Sequence, residues 1–366
     1  MAGRVRARKL GIEFGIMETG RLNAITDVEG GVGHATLIHG DGPLKVGEGP
    51  VRTGVTAIVP HQGNPYEEKV TGAVEAFNAY GKSTGLPQVV HMGVIETPIL
   101  LTNTLNTWIV ADAVLDYLRE RYDTTPKSIN PVVGETNGGS LNDSFGRHVR
   151  KKHVFEAIDK VRSSKGMASV EEGNVGGGTP MTGYGFKGGI GTSSRVHEAF
   201  TVGALVQLNC GRKEDLRIDG VPVGREIRAP PPKGKAAGNS IMMIVATDLD
   251  LTSRQLWKVA RRAVLGLART GSYSGVSSGD FVISFTTGNK KVEDMLETMP
   301  EEYRRDPWGE RFLGPVYRAA ADATEEAIIN ALFMAETMVG INGNTRYELP
   351  LDQVREIFER QGRSLA

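Results

Sequence analysis

Ser240 stands where a linker-like run ends and a buried strand is expected to begin. Residues 228–239 read Arg-Ala-Pro-Pro-Pro-Lys-Gly-Lys-Ala-Ala-Gly-Asn, a string suited to an exposed connector. From Ile241 to Ala246 the chain is continuously apolar, the pattern of a strand covered on both faces. A serine freed from Asn239 at such a boundary carries a hydroxyl nucleophile and an α-amine base on one residue. The competing reading is a serine that only opens a strand. Further along, Ser278-Gly-Asp280 precedes a second apolar run, 281–286. Residues two apart face the same way along an extended chain. Asp280 can therefore orient Ser278, and Ser278 can pass protons between the amine and a leaving group; the alternative is a Ser/Gly turn with a solvated aspartate.

Acyl transfer also needs donors for a developing oxyanion, where one donor can be worth about 3 kcal/mol. Asn209, closing the apolar run 202–208, is one candidate. The other is the loop 174–179, Asn-Val-Gly-Gly-Gly-Thr, with Asn174 and the backbone N–H groups of Gly177 and Gly178. A buried asparagine that merely satisfies a turn is the bland alternative. Glu135, after a short apolar strand, can hold a substrate ammonium, or be a surface acid in a polar loop.

These residues need strands and loops to position them. Apolar spacing predicts helices over 67–80 (Val70, Val74 and Phe77 inward) and 107–121 (Trp108, Ala111, Val114, Leu115 and Leu118 inward). It predicts others over 253–269, capped by Ser253, over 316–339 and over 351–360. Candidate strands are 54–59, 88–94, 200–209, 241–247 and 280–286. The order is not a strict βαβ series. It reads as a layered α/β sandwich with helices outside and sheets between, one domain over residues 1–366.

Composition narrows the function. The 366 residues carry 43 Lys plus Arg against 43 Asp plus Glu, a balance that argues against nucleic acid or an anionic membrane as partner. No run is long enough to span a bilayer. No apolar signal-type stretch follows Arg4, Arg6, Arg8 and Lys9, so secretion is not expected. The single cysteine, Cys210, excludes an internal disulfide, reads as a buried inert thiol and fits the cytoplasm. The 47 glycines exceed the usual ~7% and cluster in loops, as tight turns around a site require. The glycines of 185–191 lack the order of a phosphate loop or a dinucleotide fingerprint. His34, His39, His61, His91 and His197 show no metal-ligand spacing. No metal or cofactor is expected, and no GxSxG elbow is present.

Taken together, residues 20–34, Glu96-Thr-Pro-Ile-Leu-Leu-Thr-Asn103, Gly134-Glu-Thr-Asn137, 174–179, Lys187-Gly-Gly-Ile-Gly-Thr192, Asn239-Ser240 and Ser278-Gly-Asp280 resemble the self-processing aminopeptidases. That family includes L-aminopeptidase/D-Ala-esterase/amidases and β-peptidyl aminopeptidases (peptidase family S58). The resemblance spans nearly the whole chain. It implies a four-layer αββα sandwich similar to that of N-terminal-nucleophile hydrolases, with distinct connectivity. It implies self-cleavage between Asn239 and Ser240 into an α chain, 1–239, and a β chain, 240–366, held in a homo-oligomer that is usually a tetramer. Ser240 matches the family nucleophile, Ser278 and Asp280 its supporting Ser-x-acid pair, and Asn209 the oxyanion asparagine. Glu135 looks like the anchor for a substrate amine. The implied substrates are short peptides, amino-acid amides or esters. Two positions depart from the family: Ser140 replaces a site-lining tyrosine, and Pro180 follows the glycine loop where glycine is usual. The rival readings are an acyltransferase on a similar fold and a non-catalytic small-molecule binding protein.

Overall fold

The computed structural model describes residues 3–164, 168–235, 239–298, 301, 310–363 and 365. Two sheets carry the site. The first runs β1 (Gly31–His39), β2 (Val51–Val59), β5 (Ile99–Asn103) and β6 (Val132–Thr136) in that order. The second runs β4 (Val94–Ile95), β3 (Val70–Ala79), β12 (Ser278–Lys290), β11 (Asn239–Leu249), β10 (Phe200–Asn209) and β9 (Gly189–His197). The short strands β7 (Thr182–Gly183) and β8 (Phe186–Lys187) pair as a hairpin ahead of β9. Helices α2 (Thr107–Tyr122) and α3 (Lys151–Ser163) pack on the first sheet. Helices α5 (Ser253–Arg269) and α7 (Leu313–Phe333) pack on the second. Further helices are α1 (Leu86–Met92), α4 (Val223–Glu226), α6 (Val292–Thr298) and α8 (Leu351–Arg360).

The unbroken apolar run of β11 follows from this layering. Met242, Ile244 and Ala246 join the cluster between the sheets, with Ile58, Ile99 and Leu101. Ile241, Met243 and Val245 join the cluster under α5 and α7, with Val259, Ala263 and Ala320. Alternate residues of one strand thus enter two cores, each full burial of a large aliphatic side chain being worth ~2 kcal/mol. A third cluster, with Val110, Val114, Val154 and Ile158 against Val55 and Leu100, lies outside the first sheet. The layers are αββα, as the resemblance implies. Helix α7 lies so close to β9 that a Cβ on Gly191 would stand 2.0 Å from Ala327 O. Its buried Glu326 is neutralised by Arg195 at 2.7 Å and Arg8 at 2.9 Å. Among the described residues no helix is long and apolar enough to cross a membrane.

Several local expectations are corrected. Residues 67–80 hold strand β3, not a helix. The apolar spacing of Val70 and Val74 is four, which is both one helical turn and an even number of strand residues, so periodicity alone does not separate the two. Residues 88–94, expected as a strand, lie mostly in α1, which Leu86-Pro87 opens and Gly93 closes in the left-handed conformation. On α2, Trp108 and Leu115 face solvent, while Val110, Ala113, Val114, Tyr117 and Leu118 face the sheet. Thr252, not Ser253, caps α5, accepting from Gln255 N. The helix expected to reach residue 339 stops at Phe333. There the Asn174 amide takes over the backbone of Glu336, donating to its C=O at 2.8 Å and accepting its N–H at 3.2 Å. Of the expected connector, residues 236–238 lie outside the described residues. The Arg346 guanidinium binds the carbonyls of Lys233 and Lys235 just before them.

Candidate active site

Ser240 is the second residue of β11, only 6% exposed, with a strand on either side. In the antiparallel pair with β10 it stands opposite Asn209, and in the parallel pair with β12 opposite Gly279. Its Oγ accepts the Gly279 N–H at 3.1 Å. Alternation along β11 sends its side chain the same way as Met242, toward the first sheet. Glycine is needed at 279, since a Cβ there would stand 2.6 Å from Tyr80 O and 3.0 Å from Ser240 Oγ.

Ser278 and Asp280 flank Gly279 and lie on the other face of β12, the one covered by α5. Both are fully buried, and Ser278 Oγ donates to Asp280 Oδ1 at 2.6 Å. Burial pushes the Asp280 carboxyl up, and the Ser278 hydroxyl draws it partly back. In register the pair stands beside Asn239 and Ile241. It therefore flanks the backbone on either side of the 239–240 junction, where a liberated amine would sit, while the Ser240 hydroxyl points into the space between the sheets.

Asn209 is buried with its amide oriented by the backbone. Oδ1 accepts the Thr182 N–H at 2.9 Å, and Nδ2 donates to Asn137 O at 3.0 Å. An amide nitrogen carries two hydrogens, so one remains for an oxyanion next to Ser240. The glycine loop does different work. Gly177 N–H donates to Thr56 Oγ1 at 3.1 Å and Gly178 N–H to Val175 O at 2.9 Å, so both donors are engaged. A Cβ on Gly177 would stand 2.1 Å from Gln207 Oε1, which makes this loop a spacer between the sheets. Asn174 is joined to Glu336, and no hydrogen bond links it to Ser240. His34, buried and pulled down to about 4 by desolvation, lies 2.9 Å from Thr56 Oγ1 and belongs to the same support.

Glu135 lies near the end of β6, buried, and β6 meets β11 where Gly134 faces Met242. Its Oε1 accepts the Lys82 backbone N–H at 3.0 Å and lies 3.8 Å from Lys82 Nζ. Among the described residues its Oε2 is buried without a hydrogen bond of ordinary geometry, though the Thr104 hydroxyl favours the charged form. Burial raises this carboxyl, and Lys82 opposes the rise. The segment 80–82 runs between two of these candidates: Tyr80 O borders Gly279, the strand partner of Ser240, and Gly81 borders Glu135. Sequence reasoning missed this segment because it lies at the end of the strand misread as a helix. Ser140 is buried, its carbonyl accepting from Asn344 Nδ2 at 2.8 Å. Pro180 is accommodated by Gly138, where a Cβ would stand 2.3 Å from the proline ring.

Lys187 was also missed. It is fully buried, with no carboxylate partner among the described residues, and Nζ donates to Gly188 O at 2.7 Å and Gly178 O at 3.3 Å. Burial holds its amine well below the ordinary lysine range. It ties the glycine loop to the β7–β8 hairpin, whose Thr182 orients Asn209. Among the described residues no group of three His, Cys, Asp or Glu is arranged to hold a metal ion.

Comparison with known proteins places this geometry. The family described as Peptidase family S58 matches residues 23–346. The chain is 40% identical over 380 residues to the beta-peptidyl aminopeptidase BapA of Sphingosinicella xenopeptidilytica, covering 97% of this chain and 91% of that protein. It matches the PH0078 protein of Pyrococcus horikoshii OT3 with TM-score 0.86 and 46% identity, over 98% of this chain and 100% of that one. The L-aminopeptidase D-Ala-esterase/amidase of Ochrobactrum anthropi is described as a prototype for the serine aminopeptidases and a variant of the Ntn hydrolase fold. It matches with TM-score 0.84 and 38% identity, over 98% of this chain and 99% of that one. The likeness thus extends over both sheets and the strands bearing Ser240, Asn209 and Asp280, and the chain belongs to peptidase family S58.

Proposed function

We propose that this chain is a self-processed serine aminopeptidase with Ser240 as its N-terminal nucleophile, acting on short peptides, amino-acid amides or esters. The observation that carries the reading is the register at Ser240. Asn209 lies on one side, Gly279 on the other, and the hydrogen-bonded Ser278–Asp280 pair stands beside the preceding peptide.

In the uncut chain, Ser240 Oγ attacks the Asn239 carbonyl carbon. The Asn239–Ser240 amide bond breaks, an ester to Oγ forms, and the Ser240 nitrogen leaves as an amine. Water hydrolyses the ester, leaving a carboxylate on Asn239 and both hydroxyl and amine on Ser240. The α chain is then 1–239 and the β chain 240–366. In the cut enzyme the α-amine, of ordinary pKa ~8, takes the Oγ proton as general base. Oγ attacks the substrate carbonyl, and the second Nδ2 hydrogen of Asn209 holds the oxyanion. The α-ammonium so formed, held beside the Ser278–Asp280 pair, gives its proton to the departing amine. Water then releases the acyl group and restores Oγ–H. Glu135 takes the substrate ammonium, which leaves room for one residue before the nucleophile, so the N-terminal residue is released.

A gel of purified protein tests both stages. The wild-type chain is expected to run as two fragments and Ser240→Ala as one ~39 kDa band, with aminoacyl p-nitroanilide turnover only in the former. One intact band in both, or equal turnover in both, overturns the reading. A tetrameric assembly and a cytoplasmic location belong to the same proposal; the support is the family resemblance for the first and the single buried thiol, Cys210, for the second.

A further inference from the structure

The acid proposed to anchor the substrate's amine already has a cation beside it. Lys82 Nζ stands 3.8 Å from Glu135 Oε1, beyond a hydrogen bond but within ion-pair reach, and the Lys82 N–H holds that same oxygen at 3.0 Å. Among the described residues Glu135 Oε2 is buried without a hydrogen bond of ordinary geometry, the Thr104 hydroxyl being the neighbouring group that favours the carboxylate. The lysine side chain is 39% exposed, so its ammonium reaches the acid from the solvent side. The chain leading to it passes directly by the nucleophile, since Tyr80 O abuts Gly279 and Gly81 abuts Glu135. A buried carboxylate with one satisfied and one unsatisfied oxygen is a receptor for an ammonium ion, and Lys82 supplies a tethered one.

We infer that Lys82 is a specificity-determining residue: a built-in ammonium that occupies Glu135 in the empty site and competes with the amine of the incoming substrate. The inference rests on the reading of Glu135 as the amine anchor. Its positive charge opposes a second cation at the same acid, whether the lysine withdraws or stays on Oε1. With the lysine partly exposed and its Nζ 3.8 Å from the acid, the pair is weak, so the competition amounts to a few-fold in apparent affinity. It leaves substrates without an amine unaffected, which separates charge competition from a general change in the pocket.

The test compares alanyl and β-alanyl p-nitroanilide with propionyl p-nitroanilide, which lacks the amine, at low salt. Assays run at about pH 8 and again at about pH 9, because burial raises the Glu135 carboxyl and Lys82, which opposes the rise, is absent from the variant; the KM shift is expected at both. Lys82→Met is expected to lower KM for the two aminoacyl substrates about 3- to 5-fold without lowering kcat, and to leave propionyl p-nitroanilide unchanged. Lys82→Arg is expected to restore the wild-type KM. An aminoacyl KM that is unchanged or higher in Lys82→Met overturns the inference, as does an equal shift on the propionyl compound. Glu135→Gln tells the two layers apart. If it leaves the preference for aminoacyl over propionyl substrate intact, the anchor reading fails and the inference with it. If it abolishes that preference while Lys82→Met moves nothing, the role of Lys82 alone is refuted.

Discussion

Asn209 and Ser240 are partners in the β10–β11 register, and the Asn209 amide is locked between Thr182 N–H and Asn137 O. The lock matters because an oxyanion donor works by being fixed in place before charge develops.

Asn209→Ala is therefore expected to slow both self-cleavage and turnover by ~10² to 10³ in rate, with a smaller change in KM. Fragment formation over time on gels, and kcat per cut enzyme, measure the two effects separately. A variant that cleaves and turns over at wild-type rates would remove Asn209 from the mechanism.

Asp280→Asn should trade activity for stability. Burial raises the Asp280 carboxyl in the folded chain. The folded protein thus keeps that proton to higher pH than the unfolded one, and stability falls as pH rises from about 4 through the raised value. An asparagine carries no such charge, so the variant is expected to be more stable at neutral pH and flat across that window. With Ser278 no longer facing a carboxylate, turnover is expected to drop ~10²-fold. Urea melts in the uncut Ser240→Ala background, where a single chain unfolds, check the first effect. Steady-state kinetics of the cut enzyme check the second.

Lys187 gives a pH signature of opposite sign. Its folded amine is neutral well below the ordinary ~10.4, whereas the unfolded lysine is protonated. The unfolded chain therefore binds the extra proton, and stability rises with pH by up to about 1.4 kcal/mol per unit until ~10.4 is passed. Lys187→Met in the Ser240→Ala background is expected to lose this slope between about pH 8 and about pH 10. The slope is the readout, because the absolute stability also falls when Gly178 O and Gly188 O lose their donor. Parallel wild-type and Lys187→Met slopes would mean that the amine is charged in the fold.

Much of this arrangement was legible before the structure. The strands 200–209, 241–247 and 280–286 stood out because each is a long, mostly apolar run bounded at one end by a polar candidate residue (Asn209 after the first, Ser240 before the second, Asp280 opening the third), and all three are found as β10, β11 and β12. The helices 253–269 and 351–360 were equally plain, because a helical apolar stripe over many residues has no strand equivalent. What stayed hidden depended on long-range contact. Asn174 read as a loop donor, yet it binds the backbone of Glu336 just past α7, 162 residues away. Lys82 and Lys187 were not singled out, because nothing local marks a lysine that ends beside a buried acid or between two carbonyls. The glycines of 176–178 signalled close approach correctly, but the sequence does not say whether a ligand or a neighbouring strand does the approaching. Here it is the sheet partner Gln207 and the Leu101 backbone.

The hydroxyl of Ser240 and the Ser278–Asp280 couple project from opposite sides of one sheet. Two tasks that most hydrolytic centres crowd into a single cleft are thus divided by a layer of backbone. Residues bordering the inter-sheet space can change without touching the Ser278–Asp280 hydrogen bond on the other face. On the proposed reading, the space that receives an acyl group and the support of the Ser240 amine can therefore vary independently of one another.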